Sequence, residues 1–101
     1  MRLIVFFVLP TTSYNDMKQY RQFRKFLIKD GFIMMQESVY TKLVLNSTVM
    51  NLQIERLRKN KPTKGLVELL TVTEKQFSRI EYITGKKESN IEDSEKRLII
   101  L

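Results

Sequence analysis

The sequence predicts an α+β domain with the ferredoxin-like order β-α-β-β-α-β, followed by an extra C-terminal strand. The apolar run near the start is typical of a central, buried strand, and a second apolar run near the end of this order indicates another strand. Two other stretches repeat apolar residues every three or four positions, which is typical of amphipathic helices. A short apolar run and an alternating run lie between the helices and indicate two more strands. The four strands are predicted at residues 2–9, 32–35, 38–45 and 66–72.

Capping residues, proline and glycine indicate where the predicted elements begin and end. Pro10 closes the first strand, and Ser13 has the spacing of a helix N-cap. The Asp30-Gly31 pair ends the first helix, because glycine adopts the left-handed cap conformation easily. Asn46 offers the cap of the second helix. The apolar face of the first helix is predicted to contain Met17, Tyr20, Phe23, Phe26 and Leu27.

Residues 1–73 are expected to form the ferredoxin-like core, and residues 74–101 a C-terminal extension of the same domain. The extension is predicted to hold a helical turn at residues 74–79, a short strand around residues 82–83 and a terminal apolar run at 98–101. That run either adds an edge strand to its own sheet or pairs with a neighbouring chain. Since such an edge invites association, we expect a symmetric dimer.

The charge and the residue composition limit the functions that the protein can have. The 101 residues carry a net charge of +7, which favours a polyanionic partner, above all nucleic acid. No apolar run is long enough to cross a bilayer, so no membrane partner is expected. The absence of cysteine fits a cytoplasmic protein. The absence of histidine excludes Ser-His and Cys-His catalysis and leaves carboxylates, lysines and tyrosines for any chemistry.

Two basic clusters are the candidate DNA-binding sites. A row of cations on one helix face suits a phosphate backbone, although a merely solvated face is an equally good interpretation. Contacts of this kind position nucleic acid without reading its bases. The aromatic residues have core spacing and do not support base readout. The predicted DNA-binding residues are Lys18, Arg21, Arg24 and Lys25 on the first helix and Arg56 and Arg58 on the second.

Several segments together resemble one known family. They are Ile4-Val5-Phe6-Phe7-Val8-Leu9-Pro10, residues 20–27, residues 31–40 (GFIMMQESVY), the Lys64-Gly65 turn and residues 70–77. In this order and spacing they resemble the small second universal subunit of the CRISPR adaptation (spacer-acquisition) complex. The closest likeness is to the version found in systems with a single-protein effector nuclease.

The resemblance implies a homodimer that bridges two dimers of the integrase subunit. Such an assembly measures a short double-stranded DNA and inserts it into the CRISPR array, with the chemistry carried out by the integrase. Systems of this type also use a DNA-end-binding ring protein and the effector nuclease during acquisition. In this arrangement the present chain is a scaffold and a DNA platform.

One position departs from the family pattern. Many relatives have an aspartate near the end of the first strand, two positions before the proline, and a pair of these across the dimer axis can hold a divalent metal. The corresponding residue here is Val8, which cannot ligate Mg²⁺. We therefore predict no catalytic residue, no metal or other cofactor, and no intrinsic nuclease activity.

Two alternatives remain open. One is a magnesium-dependent endonuclease acting on RNA or DNA, or a toxin-like ribonuclease of the same fold, which would need a symmetric carboxylate pair. The other is a regulatory ferredoxin-like domain for a small ligand. The lack of a glycine-rich phosphate loop and the basic first helix disfavour that last reading.

Overall fold

The computed structural model describes residues 1–85, and it arranges them as four strands and three helices. The predicted terminal run and most of the extension lie outside the described residues. The elements, in chain order, are β1 (Arg2–Val8), α1 (Tyr14–Lys29), β2 (Ile33–Gln36), β3 (Val39–Leu43), α2 (Ser47–Lys59), β4 (Leu66–Val72) and α3 (Glu74–Phe77).

The strands form one sheet in the order β2-β3-β1-β4. Strand β1 is central and pairs antiparallel with β3 and with β4. Strand β2 pairs antiparallel with β3, and the register shifts between Met34 and Gln36. This order confirms the predicted ferredoxin-like α+β fold. None of the helices within residues 1–85 is long and apolar enough to span a membrane.

The core lies between one face of the sheet and the helices. Alternate residues of β1, namely Leu3, Val5 and Phe7, are buried in one cluster with Phe23 and Leu27 of α1 and Leu57 of α2. Because successive strand residues point to opposite faces, this cluster assigns α1 and α2 to a single face.

Capping side chains fix the helix ends that the sequence predicted. The Ser13 side chain accepts a hydrogen bond from the backbone N–H of Asp16 at 3.0 Å, and Asn46 Oδ1 accepts one from Val49 at 2.9 Å. Gly31 has a φ of 94°, a conformation that glycine adopts without strain. Both long helices therefore begin and end where their sequence signals indicate.

The predicted short strand around residues 82–83 is wrong. Neither residue belongs to a strand, and the Ile83 side chain is largely exposed. Two apolar residues supply too little burial to offset the entropy of ordering an extra strand. The helical turn just before them is confirmed as α3, where Thr73 and Gln76 form a reciprocal capping box.

Candidate nucleic-acid interface

Three predicted cations occupy the solvent face of α1. Lys18, Arg21 and Lys25 are all exposed, and none of them forms an ion pair within residues 1–85. The opposite side of α1 is held in the core by Phe23 and Leu27. The three charges are therefore presented on an anchored helix, and we call them the α1 cation row.

Arg24 differs from the α1 cation row because it is half-buried. Its Nε donates a hydrogen bond to the Tyr40 Oη at 2.8 Å. This bond is the main reason that the pKa of Arg24 is raised above its ordinary value. The guanidinium thus stays charged and is attached to the sheet.

Arg56 on α2 forms an ion pair with Asp30, which lies at the end of α1. Its Nε and Nη2 donate to Asp30 Oδ2 at 2.7 Å and to Oδ1 at 2.6 Å, a bidentate pair. The buried Gln53 also donates to Asp30 Oδ2, at 2.9 Å, and its Oε1 accepts from Lys42 Nζ at 2.6 Å. Hydrogen bonds from Arg56 are the main cause that lowers the pKa of Asp30 to about 2. Two N–H donors of Arg56, and most of its charge, are therefore committed to Asp30.

Arg58 forms a weaker pair on the surface. Its Nη1 lies 2.6 Å from Glu55 Oε2, and both side chains are more than half exposed. Exposed pairs of this kind contribute about 0–1 kcal/mol, so a phosphate could readily replace the glutamate. Neither the pair of Arg56 with Asp30 nor that of Arg58 with Glu55 was predicted from the sequence.

The predicted residues Arg56 and Arg58 lie in two different grooves. Lys25 and Arg56 line one open groove between the C-terminal halves of α1 and α2, together with Gln22, Phe26, Lys29, Asp30 and Asn60. Arg58 lines a second, apolar groove against β4, with Val5, Ile54, Leu57, Lys61, Val67 and Leu69. Of the predicted residues on α1, the structure thus brings Lys25 together with Arg56, whereas Arg58 lines a different groove. The polar side chain of Asn60 was not predicted as part of this site.

Val8 lies at the exposed end of β1. Its side chain is 72% exposed, and it pairs with Leu66 at the start of β4. Gly65 precedes that pair, and a Cβ there would lie only 2.6 Å from the Val8 carbonyl oxygen. Only glycine therefore lets the loop pass this close to β1.

The fold and these side chains can be compared with known proteins. The family model for CRISPR associated protein Cas2 matches residues 1–80 of the chain. The chain belongs to the Cas2 family. This confirms the resemblance seen in the sequence, that of a CRISPR adaptation subunit.

Curated Cas2 proteins are similar over the full chain. "CRISPR-associated endoribonuclease Cas2" of Streptococcus mutans is 50% identical over 101 residues, covering 100% of this chain and 93% of that protein. The protein of the same name from Treponema denticola is 50% identical over 101 residues and covers all of both chains. That of Ligilactobacillus salivarius is 41% identical over the same length.

The metal that the Cas2 resemblance implies does not fit the residues found here. Val8 offers no oxygen ligand, and the described residues contain no group of three or more Asp, Glu, His or Cys side chains able to hold a metal ion. Asp16 is buried beside the start of α1 and accepts a hydrogen bond from Thr12 Oγ1 at 3.0 Å, which is the main cause of its lowered pKa. Glu68 pairs in register with Phe6, two residues before Val8.

Proposed function

We propose that this Cas2-family chain is a non-catalytic, homodimeric scaffold of CRISPR adaptation. It binds short duplex DNA through the phosphate backbone and bridges dimers of the integrase subunit during insertion into the CRISPR array. The observation that carries the proposal is the α1 cation row, three exposed charges on a helix whose other side is buried. The valine at the family's metal position supports a scaffold rather than a nuclease.

Electrostatics favour backbone binding. Each cation that neutralises a phosphate releases condensed counterions, so the affinity falls steeply as salt rises. The net charge of +7 adds long-range attraction to the duplex. Lys25, the last residue of the α1 cation row, lines the groove between α1 and α2 together with the exposed Lys29, which extends the basic surface beyond the row.

A homodimer is supported by the sheet face opposite α1 and α2. The registers align alternate residues on this face, and Ile33, Leu43, Leu66 and Leu70 there are about half exposed or more. Exposed apolar residues grouped on one face are typical of an interaction surface, although the polar residues Arg2 and Glu68 lie on the same face. We propose a second copy as the occupant, because an isologous interface needs only one self-complementary patch.

Other parts of the proposal rest on family membership. They are a cytoplasmic location, the division into a 1–73 core and a 74–101 extension of one domain, and participation of the DNA-end-binding ring protein and the effector nuclease. Pull-down from a reconstituted mixture tests the last of these directly. Recovery of the integrase alone would confine the chain's contacts to that partner.

DNA binding is tested by fluorescence anisotropy with a short duplex across a salt series. Arg21→Glu is compared with Lys75→Glu, because both change the net charge by the same amount and Lys75 lies on α3, away from α1. We expect Arg21→Glu to weaken binding and to reduce the salt slope by about one or more. Equal losses in both variants would show that only net charge matters.

The dimer is tested by light scattering during size-exclusion chromatography. Leu70→Glu is expected to give a monomer, because it places a charge in an apolar interface. Leu52→Glu is the control, since Leu52 is an equally apolar exposed residue on α2. A wild-type chain that is monomeric at micromolar concentration would refute this part of the proposal.

The second candidate function is an endoribonuclease, favoured by the printed names of the relatives at 50% identity. Purified chain is incubated with single-stranded RNA and Mg²⁺, with Val8→Asp as the variant that restores a family-type carboxylate. The scaffold proposal predicts no cleavage by the wild type. Magnesium-dependent cleavage that copurifies with the wild-type chain would favour the enzyme.

A further inference from the structure

The Arg24–Tyr40 contact joins the hydrophobic core to the basic surface. Tyr40 on β3 has 0% exposure, and its ring stacks on Phe7 at a centroid distance of 5.8 Å. Its hydroxyl accepts the hydrogen bond from Arg24 Nε at 2.8 Å. The aromatic ring therefore cannot move without disturbing the core, and it holds the Arg24 guanidinium in one place.

The rest of this guanidinium remains available. A guanidinium carries five N–H donors, and the Tyr40 bond uses only the one on Nε. Within residues 1–85, Arg24 forms no ion pair, whereas Arg56 spends both Nε and Nη2 on Asp30. Arg24 also lies one helical turn after Arg21, at the flank of the α1 cation row. Among the predicted arginines it is thus the one that a buried hydroxyl fixes and that makes no ion pair within residues 1–85; the nearby charge of Glu37 acts on it only at longer range.

We propose that Tyr40 is a positioning residue for DNA binding: its buried hydroxyl fixes the Arg24 guanidinium so that the two Nη groups bind one backbone phosphate beside Arg21. This inference rests on the proposed function, DNA binding by α1. An arginine side chain has about 2 kcal/mol of rotamer entropy. The hydrogen bond to Tyr40 already restricts the Arg24 side chain in the free protein. DNA binding therefore loses less side-chain entropy, which favours affinity.

A purely structural reading makes different predictions. If the contact only satisfies a buried phenol, its loss would change stability and leave DNA affinity untouched. If it positions Arg24, the effect of the hydroxyl on affinity depends on which side chain occupies position 24. A double-mutant cycle separates these readings, because it measures the coupling between two residues.

The cycle uses the full chain, Tyr40→Phe, Arg24→Ala and the double variant, each titrated against one short duplex at fixed salt. The phenylalanine ring keeps the packing against Phe7 and removes only the hydroxyl. We expect Tyr40→Phe to weaken binding about threefold when Arg24 is present, in line with the net worth of a hydrogen bond. With Arg24→Ala, the same change should leave affinity within about 1.5-fold. Tyr82→Phe, which removes a hydroxyl elsewhere, should have no effect.

A second comparison does not depend on Tyr40 variants folding. Arg24→Lys keeps the charge but loses the fork that Tyr40 holds, whereas Arg21→Lys alters an arginine with no such support. We expect Arg24→Lys to weaken DNA binding several-fold more than Arg21→Lys, because lysine is a mobile point charge.

The outcomes separate the two proposals. If the wild type binds the duplex with a salt-dependent affinity but Tyr40→Phe weakens both backgrounds equally or neither, the positioning role is refuted and the scaffold proposal stands. Equal effects of Arg24→Lys and Arg21→Lys would likewise refute positioning. If the wild type shows no salt-dependent binding at all, DNA binding by α1 fails and the positioning role fails with it.

Discussion

Replacing Asp30 by asparagine should destabilise the fold in a pH-dependent way. Asp30 is paired with Arg56 and Gln53, and its pKa is about 2 against an ordinary 3.8. One pKa unit corresponds to about 1.4 kcal/mol, so the full difference is about 2 kcal/mol. Because the Arg56 side chain is 59% exposed, solvent screening reduces the expected loss at pH 7 to roughly 1–2 kcal/mol.

The sign of the pH dependence follows from linkage. The unfolded chain binds a proton on Asp30 near pH 4 and the folded chain only near pH 2, so the stabilisation is fully present above pH 4 and is lost as the pH falls toward 2. Urea unfolding of the wild type and Asp30→Asn at several pH values measures the gap in free energy of unfolding. We expect the gap to shrink between pH 4 and pH 2.5.

The control for this experiment is Glu55→Gln. It breaks the exposed pair with Arg58 and should cost less than about 0.5 kcal/mol. A gap for Asp30→Asn that is below that value at pH 7, or that does not change with pH, would refute the account of the Asp30 network.

Three further changes test the fold. Leu27→Ala should cost about 2–5 kcal/mol in urea unfolding, because Leu27 is fully buried in the core; a loss below 1 kcal/mol would contradict that packing. Gly65→Ala should lower the Tm by several degrees, since φ is 90° and the new Cβ would lie 2.6 Å from the Val8 oxygen; an unchanged Tm would show that the loop can shift freely. Ser13→Ala should cost about 1 kcal/mol by removing the α1 cap, while Ser13→Asp should largely retain stability.

Local patterns were enough to predict the core elements. The apolar spacing through Phe23 and Leu27 gave α1 its buried face, and the caps at Ser13 and Asn46 lie at the helix starts. These signals depend on neighbours within one or two turns, so they can be read without knowing the fold. The strand predicted around residues 82–83 was wrong, because two apolar residues carry no information about a pairing partner.

The site was harder to predict because its contacts join distant positions. Arg56 and Asp30 are 26 residues apart, and Arg24 and Tyr40 are 16 apart. Spacing identified these arginines as basic but could not tell which would be neutralised by an acid and which would be held by a phenol. Only the packing of α1 against α2 and β3 distinguishes them.

The most direct test of the scaffold account is integration in a reconstituted mixture of this chain, its integrase subunit, a short duplex and a CRISPR array. A variant with Lys18, Arg21 and Lys25 changed to glutamate removes the α1 cation row and leaves the Arg24–Tyr40 contact intact. The account predicts integration with the wild type and its loss with the variant, while light scattering still shows a dimer. Integration by the variant at the wild-type rate would contradict the claim that α1 holds the DNA.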